Sequence, residues 1–148
     1  MNAQNAVIKP VTDSTSIAGQ ISDVQISRLS ELGFQAVLNV RSPQEDGTIP
    51  HEQAQIEALG IPYINLPVRP PQLNKALIDQ AIEQIDTLPK PLLVHCGSAL
   101  RAAFVVMMYR IVHEGISLEE AKAQAIQLGF DFDQKPPLKA AINNYFAA

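Results

Sequence analysis

Short apolar runs alternate along the chain with segments whose apolar residues recur every three to four positions. "FQAVLNV" (34–40), "IPYINLPV" (61–68) and "PLLVH" (91–95) are nearly continuous apolar runs, the pattern of strands buried on both faces. Helical patterns lie around them. "QISDVQISRLSELG" (20–33) opens with a capping-box pair, Ser22 with Gln25, and closes at Gly33, with Ile26, Leu29 and Leu32 on one face. "PHEQAQIEALG" (50–60) has Pro50 near its start and Gly60 past its end. "NKALIDQAIEQIDTL" (74–88) spaces Leu77, Ala81, Ile85 and Leu88 at helical intervals. "RAAFVVMMYRIVHEG" (101–115) is apolar on nearly every side, which predicts a helix in the middle of the fold. "SLEEAKAQAIQLG" (117–129) pairs Ser117 with Glu120 in a second capping box, and "PPLKAAINNYFAA" (136–148) closes the chain. Val7 to Val11 and Ile17 to Ile21 are candidates for one or two further short strands.

Strands that alternate with helices imply right-handed crossovers. The expected fold is α/β, with a central, mainly parallel sheet of four to five strands and helices on both faces. With 148 residues and no repeat, low-complexity tract or linker, residues 1–148 read as one domain. No apolar run approaches the roughly 18 residues of a membrane span. "MNAQNAVIKP" lacks the basic start and apolar stretch of a signal peptide, so the expected location is cytoplasmic, although a removed leader would leave the same sequence. The formal net charge of −4 argues against a nucleic-acid partner. One cysteine forbids an internal disulfide, and His51, His95 and His113 lack metal-ligand spacing. Chemistry without metal or cofactor is the expectation.

Ligands of an open parallel sheet bind beyond the carboxyl ends of its strands. Three strand candidates end near an arginine: "VLNV" at Arg41, "INLPV" at Arg69, and "LLVH" at the loop that closes with Arg101. Parallel strands would bring these ends to one positive edge suited to an anion. The third loop carries most chemistry. Between Cys96 and Arg101 lie Gly97, Ser98, Ala99 and Leu100, a tight turn from strand into helix. Its backbone N–H groups can form a nest beside the positive end of the helix dipole, an environment that favours thiolate over thiol. Arg101 adds a planar charged fork for two oxygens of an oxyanion. Nucleophile, cradle and clamp together are the parts of phosphoryl transfer through a cysteine. Packing is the alternative role for Cys96, because free cysteine is among the most buried residue types. His95 reads as a support that holds the loop rather than as a proton donor.

From "IAGQIS" through "GFQAVLNVRSPQE" and "ALGIPYINLPV" to "PLLVHCGSALRAA", the sequence resembles the small bacterial phosphatase-like family of unknown function DUF442. That unit is also found fused to β-lactamase-like hydrolases. The family belongs with cysteine-dependent phosphatases of the dual-specificity, tyrosine-phosphatase-like fold. The resemblance implies Cys96 as nucleophile, Arg101 as phosphate-binding arginine and Arg41 as the arginine of an Asn-x-Arg pattern. Three features depart from typical tyrosine phosphatases. Four residues rather than five separate cysteine from arginine, a spacing shared with rhodanese-type sulfurtransferases. Ala102 stands where a hydroxyl usually helps the thiolate leave. The loop "LPVRPPQLNK" lacks the usual aspartic acid, since no Asp or Glu occurs between Glu57 and Asp79. Glu45 and Asp46 are the remaining candidate acids. The leading expectation is a cysteine-dependent phosphatase acting on a phosphate monoester or phosphoanhydride, with Gly97, Ser98, Ala99, Leu100, Arg41 and Arg69 binding phosphate. A sulfurtransferase using a Cys96 persulfide and a phosphate-binding module without turnover remain alternatives. The partner expected is a phosphorylated substrate or other oxyanion, with no membrane involved.

Overall fold

The computed structural model describes residues 5–147. Five strands form one sheet in the order β1-β2-β5-β3-β4: β1 (Lys9–Pro10), β2 (Thr15–Ala18), β3 (Ala36–Asn39), β4 (Tyr63–Asn65) and β5 (Leu92–His95). Only β1 runs antiparallel; the other neighbours are parallel. The sheet is α/β and mainly parallel, as its apolar runs predict. All four residues of β5 are buried, as the centre of a sheet covered on both faces requires.

The two-residue period of the strands divides the core. Ala36, Leu38, Leu92, Val94 and then Cys96 face one layer, which contains α3 (Lys75–Thr87), α4 (Leu100–His113), α5 (Leu118–Gln127) and α6 (Pro136–Phe146). Val37 and Leu93 face the other, with Ile26 of α1 (Asp23–Ser27) and Ile56 of α2 (Glu52–Ala58). Helix α4 lies against the sheet between α3 and α5. That position explains its apolar circumference, since every residue from Ala102 to Met108 is buried.

Several boundaries differ from the sequence pattern. The helix predicted over 20–33 stops after Ser27, whose hydroxyl donates back to the Val24 carbonyl at 2.8 Å and competes with the helical ladder. The chain continues in turns to Gly33, and Leu32 is left exposed. On α3 the buried stripe is Ile78, Ala81, Ile82 and Ile85; Leu77 and Leu88 lie at its margins. Residue 148 of the last predicted helix lies outside the described residues.

The register aligns the carboxyl ends of the parallel strands. Ala18, His95, Asn39 and Asn65 are paired across the sheet as one row, and each is the last residue of its strand. The segments beyond them leave the same edge.

Candidate functional site

Immediately beyond that row lie Gly19–Gln20, Cys96–Arg101, Val40–Arg41 and the segment leading to Arg69. The Cys96 N–H donates to Ala18 O at 3.1 Å, and the Gln20 N–H to Gly97 O at 3.2 Å, which ties the cysteine loop to the end of β2. A trans peptide points its N–H opposite to its carbonyl, so the Ser98 N–H is turned away from Gln20. Ala99 takes a left-handed conformation, φ 73°, and thereby swings the chain from strand into helix within four residues. It caps α4 without a side-chain hydrogen bond. From Gly97 to Ala102, no backbone N–H finds an acceptor among the described residues. Any helix start leaves its first few N–H groups open; here Gly97 and Ser98 extend the run.

Cys96, the first residue of this loop, is fully buried and belongs to the core of the helical layer. Arg101 is not turned to bulk solvent, with 15% of its side chain exposed. Hydrogen bonds donated to Glu45 raise the guanidinium's already high pKa against the effect of burial, and the nearby Cys96 sulfur adds to the shift. A Cβ on Gly97 would lie 3.3 Å from Arg101 Nη2 and 3.5 Å from Arg41 Nε, so both guanidiniums close on the glycine.

Glu45 occupies the arginines. Arg101 donates to it twice, Nη1 to Oε2 at 2.7 Å and Nη2 to Oε1 at 2.9 Å. Arg41 Nε donates to Oε1 at 3.1 Å, and the Ser42 N–H to Oε2 at 2.8 Å. The hydrogen bond from Arg101 is the largest of the causes that hold the Glu45 carboxyl at about 2, so it is a carboxylate at neutral pH. Asp46 meets Arg41 through its backbone carbonyl, which accepts from Nη2. Arg41 Nη1 also donates to Gln20 Oε1 at 3.1 Å.

Arg41 is held by the sheet edge. Asn39 Oδ1 accepts its N–H at 2.8 Å, while Asn65 Nδ2 donates to the carbonyls of Asn39 and Arg41, each at 2.8 Å. The asparagine of the Asn-x-Arg pattern therefore anchors the arginine two residues on. Arg69, at the end of a segment fixed by the Val68 N–H to Val40 O bond, donates to Ser42 Oγ at 2.9 Å and Gln44 Oε1 at 3.1 Å. All three sequence-predicted arginines thus converge on the stretch from Ser42 to Asp46. His51 instead caps α2, and His113 sits half-exposed against Tyr109.

Beneath the loop lies a polar cluster that sequence reasoning missed except for His95. His95 is fully buried, and its Nε2 lies 2.8 Å from Glu52 Oε2. The same carboxylate accepts from Tyr63 Oη at 2.7 Å, Gln20 Nε2 at 2.7 Å and Asn39 Nδ2 at 3.2 Å. Burial pushes the Glu52 carboxyl up, but His95, followed by Tyr63 and Gln20, outweighs it and holds the group below its ordinary value. Burial, reinforced by the Glu52 charge, raises the Tyr63 phenol and keeps it a donor. Through Glu52 of α2 the cluster joins the segment after β2, the ends of β3 and β5 and the first residue of β4, and so braces the residue that precedes the cysteine. Among the described residues, no cluster of three or more His, Cys, Asp or Glu could hold a metal ion, and no helix is long and apolar enough to cross a membrane.

Comparison with known proteins places this edge in context. The chain is 25% identical over 127 residues to a beta-lactamase hydrolase-like protein of Xylella fastidiosa, covering 84% of this chain but only 30% of that relative. Its backbone superposes on a candidate phosphatase of the DUF442 group from Shewanella putrefaciens with a TM-score of 0.79 at 16% identity, over 94% of this chain and 88% of the other. P. aeruginosa TpbA, solved in complex with phosphotyrosine, gives 0.76 at 16% identity, over 94% and 84%. These neighbours share the tyrosine-phosphatase-like fold. Residues 7–112 match the model for the phosphatase-like domain of beta-lactamase hydrolase-like proteins, and the chain belongs to that family.

Proposed function

We propose that the protein is a cysteine-dependent phosphatase in which Cys96 is the nucleophile and the loop from Gly97 to Arg101 holds the phosphoryl oxygens. The observation that carries this reading is the run of unengaged backbone N–H groups from Gly97 to Ala102, which follows directly on the only thiol and includes the residue that carries the Arg101 guanidinium. Such an arrangement presents donors where negative charge builds up in the transition state. The Cys96 sulfur attacks phosphorus, the bond to the leaving oxygen breaks, and water then cleaves the S–P bond to release phosphate. Ala102 offers no hydroxyl to the departing sulfur, which makes the second step the slower one.

An incoming phosphate competes with Glu45 for Arg101. We read Glu45 as an occupant of the anion site, because a carboxyl held at about 2 has no proton to give at neutral pH. Asp46 meets Arg41 through its main chain, and among the described residues no hydrogen bond holds its carboxyl in the site. The position of general acid is then vacant, and favoured substrates carry leaving groups that depart unprotonated, such as aryl phosphates and phosphoanhydrides. The test is hydrolysis of p-nitrophenyl phosphate by wild type and Cys96→Ser. Equal rates would exclude the mechanism. A stable gain of one sulfur after incubation with thiosulfate would point instead to a persulfide carrier, and anion binding without turnover to a binding module.

A further inference from the structure

Arg69 is the arginine of this edge whose charge no carboxylate meets. Its Nη2 donates to two neutral oxygens, Ser42 Oγ and Gln44 Oε1. Among the described residues, no acidic side chain lies within ion-pair distance of it. A guanidinium carries five N–H donors, so most of its capacity is unused. Its position is nevertheless fixed. Val68 is fully buried, its N–H bonds to Val40 O, and its own carbonyl accepts from Arg101 Nη1 at 3.4 Å. Ser42 joins the two arginines from the other side, with its hydroxyl on Arg69 and its N–H on the Glu45 oxygen that Arg101 also holds. Between them opens a hollow of about 400 Å³ lined by Ser42, Gln44, Glu45, Arg69, Pro70 and Arg101.

We propose that Arg69, with Ser42 and Gln44, receives the leaving group, and that the substrate is a phosphoanhydride. This rests on the phosphatase reading of Cys96 and Arg101 and narrows its substrate class. The phosphoryl group held by Arg101 is attacked by the Cys96 thiolate. An S–P bond forms, the bridging P–O bond breaks, and its electron pair stays on the bridging oxygen. The departing phosphate carries that charge to Arg69 and requires no proton, which fits a site without a general acid. Water then attacks phosphorus, breaks the S–P bond and leaves dihydrogen phosphate and the thiolate.

The experiment compares inorganic pyrophosphate with p-nitrophenyl phosphate, whose leaving group carries no phosphoryl charge. In Arg69→Gln, kcat/KM for pyrophosphate is expected to fall about tenfold or more, the loss of a charged hydrogen bond, while that for p-nitrophenyl phosphate stays within about threefold. Arg69→Lys should recover part of the loss. Arg28→Gln, remote and exposed on the turn after α1, should change neither. Methylenediphosphonate, which cannot be cleaved, should inhibit wild type more strongly than Arg69→Gln. Wild type that cleaves the aryl phosphate but not pyrophosphate overturns the proposal, as does an Arg69→Gln variant that slows both substrates alike. If wild type cleaves neither, or Cys96→Ser cleaves both equally well, the phosphatase reading falls first and this one with it.

Discussion

Glu45→Gln removes a charge and keeps the shape, so it isolates what the carboxylate does at the arginines. Its carboxyl is held at about 2 against an ordinary 4.5, chiefly by Arg101, with burial opposing and Ser42 and Arg41 assisting. At about 1.4 kcal/mol per pKa unit, that difference sets a ceiling of roughly 3 kcal/mol on the preference of the arginines for the charged form. The side chain is 30% exposed. Solvent screening therefore reduces the value to about 1–2 kcal/mol. An anion that takes Arg101 forgoes this amount, so its removal should tighten sulfate binding by about 5–30-fold. Sulfate is the probe of choice because it stays a dianion across the useful pH range. Calorimetric titration of both proteins, with melting curves to confirm the fold, reads the effect. A second signature comes from the sign of the shift. Displaced from the arginines, Glu45 returns toward its ordinary pKa and takes up a proton as sulfate binds. Wild-type affinity should then rise about tenfold between about pH 5 and 3.5, whereas Glu45→Gln stays flat. A folded Glu45→Gln that binds sulfate no better than wild type refutes the reasoning. A hundredfold loss of p-nitrophenyl phosphate turnover in the variant would instead make Glu45 the proton donor.

Three more outcomes are expected. Both Glu45 and Glu52 titrate below their ordinary values in the folded protein, so the stability they contribute is complete above the unfolded value of about 4.3 and is lost as pH falls below it; urea melts from pH 6 to 3 should decline more steeply for wild type than for the double Gln variant. Glu52→Gln leaves His95 and Tyr63 facing a neutral amide in a buried site and should cost about 2–4 kcal/mol in denaturant titrations, with a loss under about 0.5 kcal/mol counting against the bracing role. In Gly19→Ala the new Cβ would sit 2.8 Å from Gly97 O, a backbone atom that cannot swing aside; a destabilisation of about 1–3 kcal/mol and weaker sulfate binding are expected, and unchanged sulfate affinity would show that the loop does not depend on this contact.

How much the sequence discloses depends on the range of each signal. The apolar runs of β3, β4 and β5 and the uniformly apolar α4 are local patterns, and they locate the sheet and its buried helix. The cysteine loop is legible for the same reason: strand end, glycine and arginine lie within a few residues. The end of α1 is not legible, because Ser27 turns its hydroxyl on the helix's own carbonyl and periodicity carries no trace of that bond. Glu52 is hidden more thoroughly. In the first turn of an amphipathic helix a glutamate reads as a partner of the helix dipole. Its role emerges only when α2 packs under the sheet edge and meets His95, 43 residues later. Glu45 stands four residues from Arg41, and the sequence makes it a candidate acid. Its tighter partner, Arg101, is 56 residues away, and only that pairing shows the carboxyl held at about 2.

Charge arithmetic ties these elements together. The chain as a whole is acidic, with a net charge of −4, yet Arg41, Arg69 and Arg101 gather at one edge against the one carboxylate that pairs with them among the described residues, Glu45. Three positive groups less one negative leave two unmatched charges there. On the proposed reading a phosphoanhydride brings one phosphoryl group to Arg101, where it displaces Glu45, and a second to Arg69, whereas an anion with a single phosphoryl group leaves Arg69 unanswered. Glu45 adds to this discrimination, since a singly charged visitor gains little over the carboxylate already seated. A phosphoanhydride brings further negative charge on its second phosphoryl group, which in the proposed mechanism departs toward Arg69. Under the proposed function, the vacant acid, the unpaired arginine and the occupying carboxylate share one electrostatic explanation: an edge that favours multiply charged phosphates over simpler anions.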